Sequence, residues 1–375
     1  MRAIMNGKIV LKDSIVENKA LLFDEKIVGI SDSAEGCELI DAKGGYVTPG
    51  LIDIHTHGYL GYDCSDGELA GLTRMAEGIA KNGVTSFLAT TMTMPYEELE
   101  KAFEISREYM KAPSAKGAHV VGVNAEGPFL SEGKRGAHMK EYLKAPDPDF
   151  LLKYKDIIRV TTIAPDIDGA MDAIKKLTEN GIRVSAGHTV ADFNTTIKAI
   201  DMGASIATHT FNAMPALGHR EPGATGAFLW DDRVYCELIA DTFHVHTAFY
   251  KILKRIKGDK LVIITDCLRS GGMPDGEYIS GGLKVRVEGI RCLLENGTIA
   301  GSMLHLNKGV KNMIDFGGAE VWEAVAMASL NAANAIGVAD AKGSIEIGKD
   351  ADIAIFDAEF DTMQTIIGGK TVYSA

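Results

Sequence analysis

Eight short apolar runs, separated by amphipathic stretches, limit what this chain can fold into more than any other feature. The runs are Tyr46–Ile54, Val84–Ala89, His119–Asn124, Ile157–Ile163, Arg183–Ala186, Ser205–Ala207, Tyr235–Ala240 and Leu261–Ile264. Helical periodicity fills many of the gaps, as in Leu69–Lys81, Tyr96–Met110, Asp168–Glu179, Val190–Met202 and Thr247–Lys257. Strands that alternate with helices predict a parallel sheet covered on its outer face. Eight of them over roughly 290 residues predict an α/β fold of the (β/α)8 TIM type. An open doubly wound sheet is the alternative. No Gly-x-Gly-x-x-Gly turn follows the first run, which weakens a dinucleotide-binding version of it.

The two ends read differently. Lys8–Leu11, Ala20–Phe23 and Lys26–Ile30 are short apolar runs broken by polar turns, and so are Ser344–Ile347, Asp352–Phe356, Thr362–Ile367 and Thr371–Tyr373. This is strand-and-turn chemistry. It predicts a small β-sandwich domain built from residues 1–48 and 345–375, with a catalytic barrel over 49–344.

Bulk composition narrows the function. The 375 residues include 39 basic and 51 acidic ones, a net charge of −12, which disfavours nucleic-acid partners. No apolar run reaches the roughly 18 residues a membrane span needs, and Met1–Val10 lacks the apolar stretch of a secretory signal. The five cysteines (Cys37, Cys64, Cys236, Cys267 and Cys292) are scattered without Cys-x-x-Cys spacing. They read as small buried hydrophobes in a reducing cytoplasm.

The polar residues that follow the apolar runs carry the chemistry. The first run leads into Asp53-Ile54-His55-Thr56-His57, the third into Glu126-Gly127-Pro128 and the fifth into Gly187-His188-Thr189. The sixth leads into Thr208-His209-Thr210 and the eighth into Thr265-Asp266. In a barrel these positions share one rim, where active sites are built. Residues i and i+2 of a strand point the same way, so His55 and His57 can meet one ion. Any single histidine here is more often structural than a ligand. Imidazoles and carboxylates gathered on one rim, however, form a divalent transition-metal site. A metal lowers the pKa of bound water from about 15.7 toward about 7. Asp266, after a buried run and before the Gly-rich Ser270–Gly276 loop, is placed to take that proton and return it to a leaving amine. A helix cap or turn is the plainer use of such an aspartate. Arg220 offers a planar fork suited to a phosphate and His244 a second donor. No Walker-type loop is present to suggest a nucleotide.

These motifs resemble the amidohydrolase superfamily and, within it, the N-acetylglucosamine-6-phosphate deacetylase family. The resemblance rests on Pro49–Gly58, Ala125–Leu130, Lys134–His138, Ser185–Thr189, Thr208–Met214, Arg220–Gly223, Ile264–Asp266, Ala300–Ser302 and Gly343–Ile353. It implies a metal-dependent amide hydrolase that removes acetate from N-acetylglucosamine 6-phosphate in amino-sugar catabolism and cell-wall recycling. Glu126, His188 and His209 would hold the main ion, and His55 and His57 a second, so one or two ions per subunit are implied. Zinc is the first choice, with iron, cobalt or manganese as alternatives. Asp266 would act as base and acid, and His138 would polarise the acetyl carbonyl. Ala137, Asn212, Ala213, Arg220, His244, Ile299, Ala300 and Gly301 would bind the sugar phosphate. Arg220 would reach a neighbouring subunit's site, which implies a homodimer. Two residues depart from the family pattern: Thr242 stands where glycine is usual, and Cys267 where alanine or serine is usual. The rival readings are the galacto-configured substrate and, in another class, a non-catalytic scaffold.

Overall fold

A computed structural model describes residues 1–375. Its centre is an eight-stranded parallel sheet whose strands follow one another in chain order. They are β1 (Leu51–Thr56), β2 (Val84–Thr91), β3 (His119–Glu126), β4 (Ile158–Ile163), β5 (Arg183–Ala186), β6 (Ala204–Ala207), β7 (Tyr235–Ile239) and β8 (Leu261–Ile264). The sheet closes where the Asp266 N–H, just past β8, donates to His55 O within β1 at 2.8 Å, and the His57 N–H, just past β1, donates to Cys267 O at 2.9 Å. Every residue of β1, β2 and β8 is buried, as expected of strands covered on both faces. Inside the barrel, Ile52, Ile54, Leu88, Val160, Ile206, Ile239, Val262 and Ile264 form one aliphatic cluster. Helices such as Leu69–Ala80, Tyr96–Lys111, Ala170–Glu179, Phe193–Asp201 and Ala248–Lys257 cover the outside. None is long and apolar enough to cross a membrane.

Both termini build a second unit. One sheet runs in the order Ile27–Ser31, Ala20–Phe23, Arg2–Met5, Glu38–Asp41. The other runs Lys370–Ser374, Thr362–Ile367, Ile353–Phe356, Tyr46–Pro49, Lys8–Val10, Ile15–Val16. Ile4, Leu21 and Phe23 from the first sheet pack with Ile9, Val47, Ile353, Ile355 and Ile366 from the second, giving a sandwich core.

Three expectations change. The Tyr46–Ile54 run is two strands: Tyr46–Pro49 pairs with Ile353–Phe356, and the chain enters the barrel after Gly50. A Cβ on Gly50 would lie 2.2 Å from Thr85 Oγ1, so this crossing needs glycine. Ser344–Ile347 is not a strand; Ile345 packs in the sandwich core while Ile347 is exposed. Beyond the Gly-rich loop after β8, the chain forms an additional antiparallel sheet of Gly276–Ser280, Leu283–Glu288 and Arg291–Leu294.

Candidate active site

The C-terminal ends of the barrel strands open into a cavity of about 650 Å³. His57, Glu126, His138, His188, His209 and Asp266 line its floor. Several of these residues leave their strands with a left-handed backbone: φ is +46° at His188, +28° at His209 and +49° at Asp266. Non-glycine residues rarely take this conformation, and such strain collects at functional sites. Gly187 lets β5 and β6 come close there, since a Cβ on it would sit 2.4 Å from Thr208 Cβ.

Donor atoms converge around Glu126. Its Oε1 lies 3.1 Å from His188 Nε2 and 3.2 Å from His209 Nε2, and the two ring nitrogens are 2.9 Å apart. Its Oε2 lies 3.0 Å from His57 Nε2 and 3.4 Å from His55 Nε2. Asp266 Oδ1 closes the other side, 3.2 Å from His57 Nε2 and 3.6 Å from His55 Nε2. Separations near 3 Å suit ligands that each stand about 2.0–2.2 Å from one ion. His55 Nε2 is buried without a hydrogen-bond partner, so a donor atom waits there for a cation. The residues therefore fit a divalent metal, with Glu126, His188 and His209 on one side and His55, His57 and Asp266 on the other.

The partners of the second ring nitrogens distinguish the histidines. His188 Nδ1 meets Lys134 O at 2.8 Å, so that nitrogen carries the proton and leaves the Nε2 lone pair toward Glu126 and His209. His138 is the reverse. Its Nδ1 accepts the Thr93 N–H at 3.2 Å, which puts the proton on Nε2, 3.5 Å from Glu126 Oε2. His138 thus turns a hydrogen-bond donor toward Glu126, and the same nitrogen lies within ligand distance of Glu126 and His188. Burial lowers its pKa to about 4, so the ring is neutral near pH 7.

The carboxylates and imidazoles of the site shift one another strongly. Burial opposes charge on Glu126, but His55, His138, His188 and His209 hold it well below the usual carboxylate range. Burial likewise opposes charge on Asp266, but His57 and His55 bring it down to about 2. Burial pulls His57 down, yet Asp266 and Glu126 raise it to about 9. Carboxylates that attract protons onto buried imidazoles attract a dication by the same field.

Above the floor, Ala137, Asn212, Ala213, His244, Ile299 and Gly301 line the cavity. His244 Nδ1 is 2.6 Å from Asp241 Oδ2, which leaves Nε2 free for a ligand. Ala300 does not face the cavity: its side chain packs with Leu268, Val285 and Cys292, and its N–H donates to Cys292 O. Arg220 lies outside the cavity, exposed, with its guanidinium 3.0 Å from His219 Nε2. Thr242 has φ +67°, the conformation that favours glycine, so the departure from the family pattern costs backbone strain. Cys267 is buried, and a Cβ on Gly271 would lie 2.1 Å from its Sγ, so the thiol occupies space that this glycine leaves open.

Sequence reasoning gave no role to two buried carboxylates beneath the rim. Glu237 Oε2 is 3.0 Å from His55 Nδ1 and accepts the His209 N–H at 3.0 Å. Asp53 accepts Thr265 Oγ1–H at 2.6 Å and the His55 N–H at 3.2 Å. Burial raises Asp53 to about 7, even though the Thr265 and His55 hydrogen bonds pull it down. A lone glutamate inside the apolar run Tyr235-Cys236-Glu237-Leu238-Ile239 was the readable signal, because a buried charge is costly without a task.

The amidohydrolase family profile matches residues 46–372. The chain belongs to the amidohydrolase family. It is similar to N-acetylglucosamine-6-phosphate deacetylase of Bacillus subtilis (strain 168), 38% identical over 87% of this chain and 84% of that protein. It is also similar to N-acetylgalactosamine-6-phosphate deacetylase of Escherichia coli O157:H7, 36% identical over 86% of each chain. The crystal structure of N-acetylglucosamine-6-phosphate deacetylase from Pasteurella multocida superimposes with a TM-score of 0.95 at 34% identity, covering 100% of both chains. The amidohydrolase fold thus extends from the barrel to the sandwich, and membership in the family implies a divalent metal.

Proposed function

We propose that this amidohydrolase hydrolyses the acetamide of N-acetylglucosamine 6-phosphate, giving acetate and glucosamine 6-phosphate. The observation that carries this reading is the convergence of Glu126 Oε1, His188 Nε2 and His209 Nε2 beside Asp266 and a neutral His138. Glu126, His188 and His209 would hold the main ion, and His55 and His57 would hold a second. Zinc is the first choice for a His and carboxylate set, with iron, cobalt or manganese as alternatives. When bound, the metal supplies a water of lowered pKa and positive charge near the carbonyl.

This chain's side chains perform the rest. Asp266, a carboxylate at neutral pH, accepts the proton released as water attacks the acyl carbon. The His138 Nε2–H donates to the carbonyl oxygen as negative charge builds on it. Asp266 then passes its proton to the nitrogen as the C–N bond breaks, and the amine leaves neutral. Ala137, Asn212, Ala213, His244, Ile299 and Gly301 bind the sugar phosphate, while Ala300, turned away from the cavity, supports that segment from behind. Arg220 serves the neighbouring subunit's site in a homodimer, consistent with its exposed position away from its own cavity.

The same reading divides the chain into a sandwich domain of residues 1–48 and 345–375 and a catalytic barrel of residues 49–344, working in the cytoplasm on a small phosphorylated amino sugar. The likeness to the galactosamine-6-phosphate enzyme supports a second reading, the galacto-configured substrate. Acetate release from each sugar phosphate decides between them. A higher kcat/KM on the gluco substrate upholds the proposal, a higher value on the galacto substrate replaces it, and release from neither overturns both.

A further inference from the structure

We infer that Glu237 is a positioning residue for the metal centre. It fixes the His55 tautomer, strengthens His55 as a donor and ties the two halves of the ligand set together. The inference rests on the proposed role of His55 as a metal ligand.

Three observations carry it. First, one oxygen serves both halves. Glu237 Oε2 is 3.0 Å from His55 Nδ1 and 3.0 Å from the His209 backbone nitrogen. The main-chain carbonyl of Glu237 also accepts the Thr210 N–H at 2.9 Å, so the turn that carries His209 at φ +28° is held from both sides. Second, the His55 side chain is 0% exposed and that of Glu237 1% exposed, so no water competes for the bond. A carboxylate can only accept, so His55 must carry its proton on Nδ1. Its Nε2 lone pair then faces Glu126 and Asp266, and that is the nitrogen left without a hydrogen-bond partner. Third, Glu237 Oε1 is buried and unpartnered. A purely structural carboxylate in this place would cost stability that an amide or apolar residue would not. A negative charge that raises the basicity of a metal-binding imidazole gives it a use.

The test compares Glu237→Gln and Glu237→Ala with the parent in chelator-competition titrations of zinc, alongside the melting temperature of the metal-free proteins. Glutamine can keep both hydrogen bonds through its carbonyl oxygen while losing the charge. The expected result is a fall in zinc affinity of about tenfold for Glu237→Gln and toward a hundredfold for Glu237→Ala. Metal-free Glu237→Gln should melt no lower than the parent. Unchanged zinc affinity in both variants would overturn the inference. So would a loss of affinity that only follows a lower metal-free melting temperature. Nitrogen-15 NMR of the zinc-loaded parent needs no variant: an Nδ1–H tautomer at His55 supports the inference and an Nε2–H tautomer overturns it. His55→Ala separates the two levels. If it weakens zinc binding and neither Glu237 variant does, the positioning role alone fails. If neither does, the ligand role of His55 fails as well.

Discussion

Two regions of this molecule bury charge, and they do it differently. At the barrel mouth, buried carboxylates and imidazoles crowd one point, and His55 Nε2, His57 Nδ1, His209 Nδ1 and Glu237 Oε1 have no hydrogen-bond partner. At the junction of barrel and sandwich, Lys342 Nζ binds Asp352 Oδ2 at 2.5 Å and Asp350 Oδ2 at 2.9 Å. Asp352 Oδ1 accepts the Gly368 N–H at 2.8 Å, and Lys349 Nζ reaches Ser344 Oγ at 2.6 Å. The junction has paired its charges and asks for nothing more. The mouth has left donor atoms waiting. Buried polar groups normally find partners, so clustered exceptions mark a place built for something else to bind.

Substitutions can break this contrast. The largest effect is expected at Asp266, which handles the proton twice. Asp266→Asn should lower kcat by at least about 10³-fold, read as acetate release, with the melting temperature close to the parent's. A variant with intact turnover would remove Asp266 from the reaction. His138→Gln comes next, with kcat lower by about 10²–10³-fold and zinc affinity unchanged, because a protonated Nε2 donates a hydrogen bond rather than a lone pair. A matching loss of zinc would make His138 part of the metal set.

The junction should respond in the opposite sense. Lys342→Met leaves two partly buried aspartates facing each other and should cost about 3 kcal/mol of stability, measured by denaturant unfolding. Its kcat should stay within twofold of the parent, by roughly the tolerance expected of a site remote from the chemistry. The smallest effect is on pH dependence. Burial pushes Asp350 up, but Lys26 and Lys342 hold it below its ordinary 3.8. Its contribution is therefore present above the unfolded-state value and lost as pH falls through the lower folded-state value. The parent's melting temperature should drop more steeply below about pH 4 than that of Lys342→Met, as the unfolded reference for aspartate dictates.

Much of the mouth was readable because barrel strands end their apolar runs at the rim. His55, His57, Glu126, His188, His209 and Asp266 each follow such a run, and all but the fully buried His55 line the cavity. Their supports were harder to read. Glu237 shows as a lone glutamate inside an apolar run, but nothing in the sequence names its partner His55, 182 residues away. The carbonyl of Lys134 and the N–H of Thr93 set the tautomers of His188 and His138, and backbone groups carry no sequence signature. The split of Tyr46–Ile54 was masked because both strands are apolar. The inserted sheet could have been seen, since Leu283-Lys284-Val285-Arg286-Val287-Glu288 alternates with period 2 and its inward Val285 and Val287 are buried.

The most direct test strips the protein of metal and titrates zinc back while acetate release from N-acetylglucosamine 6-phosphate is followed in parallel with bound metal. The account predicts no release without metal and full recovery as the Glu126, His188 and His209 set fills, with no recovery in Glu126→Gln. Equal release from stripped and loaded protein would contradict it.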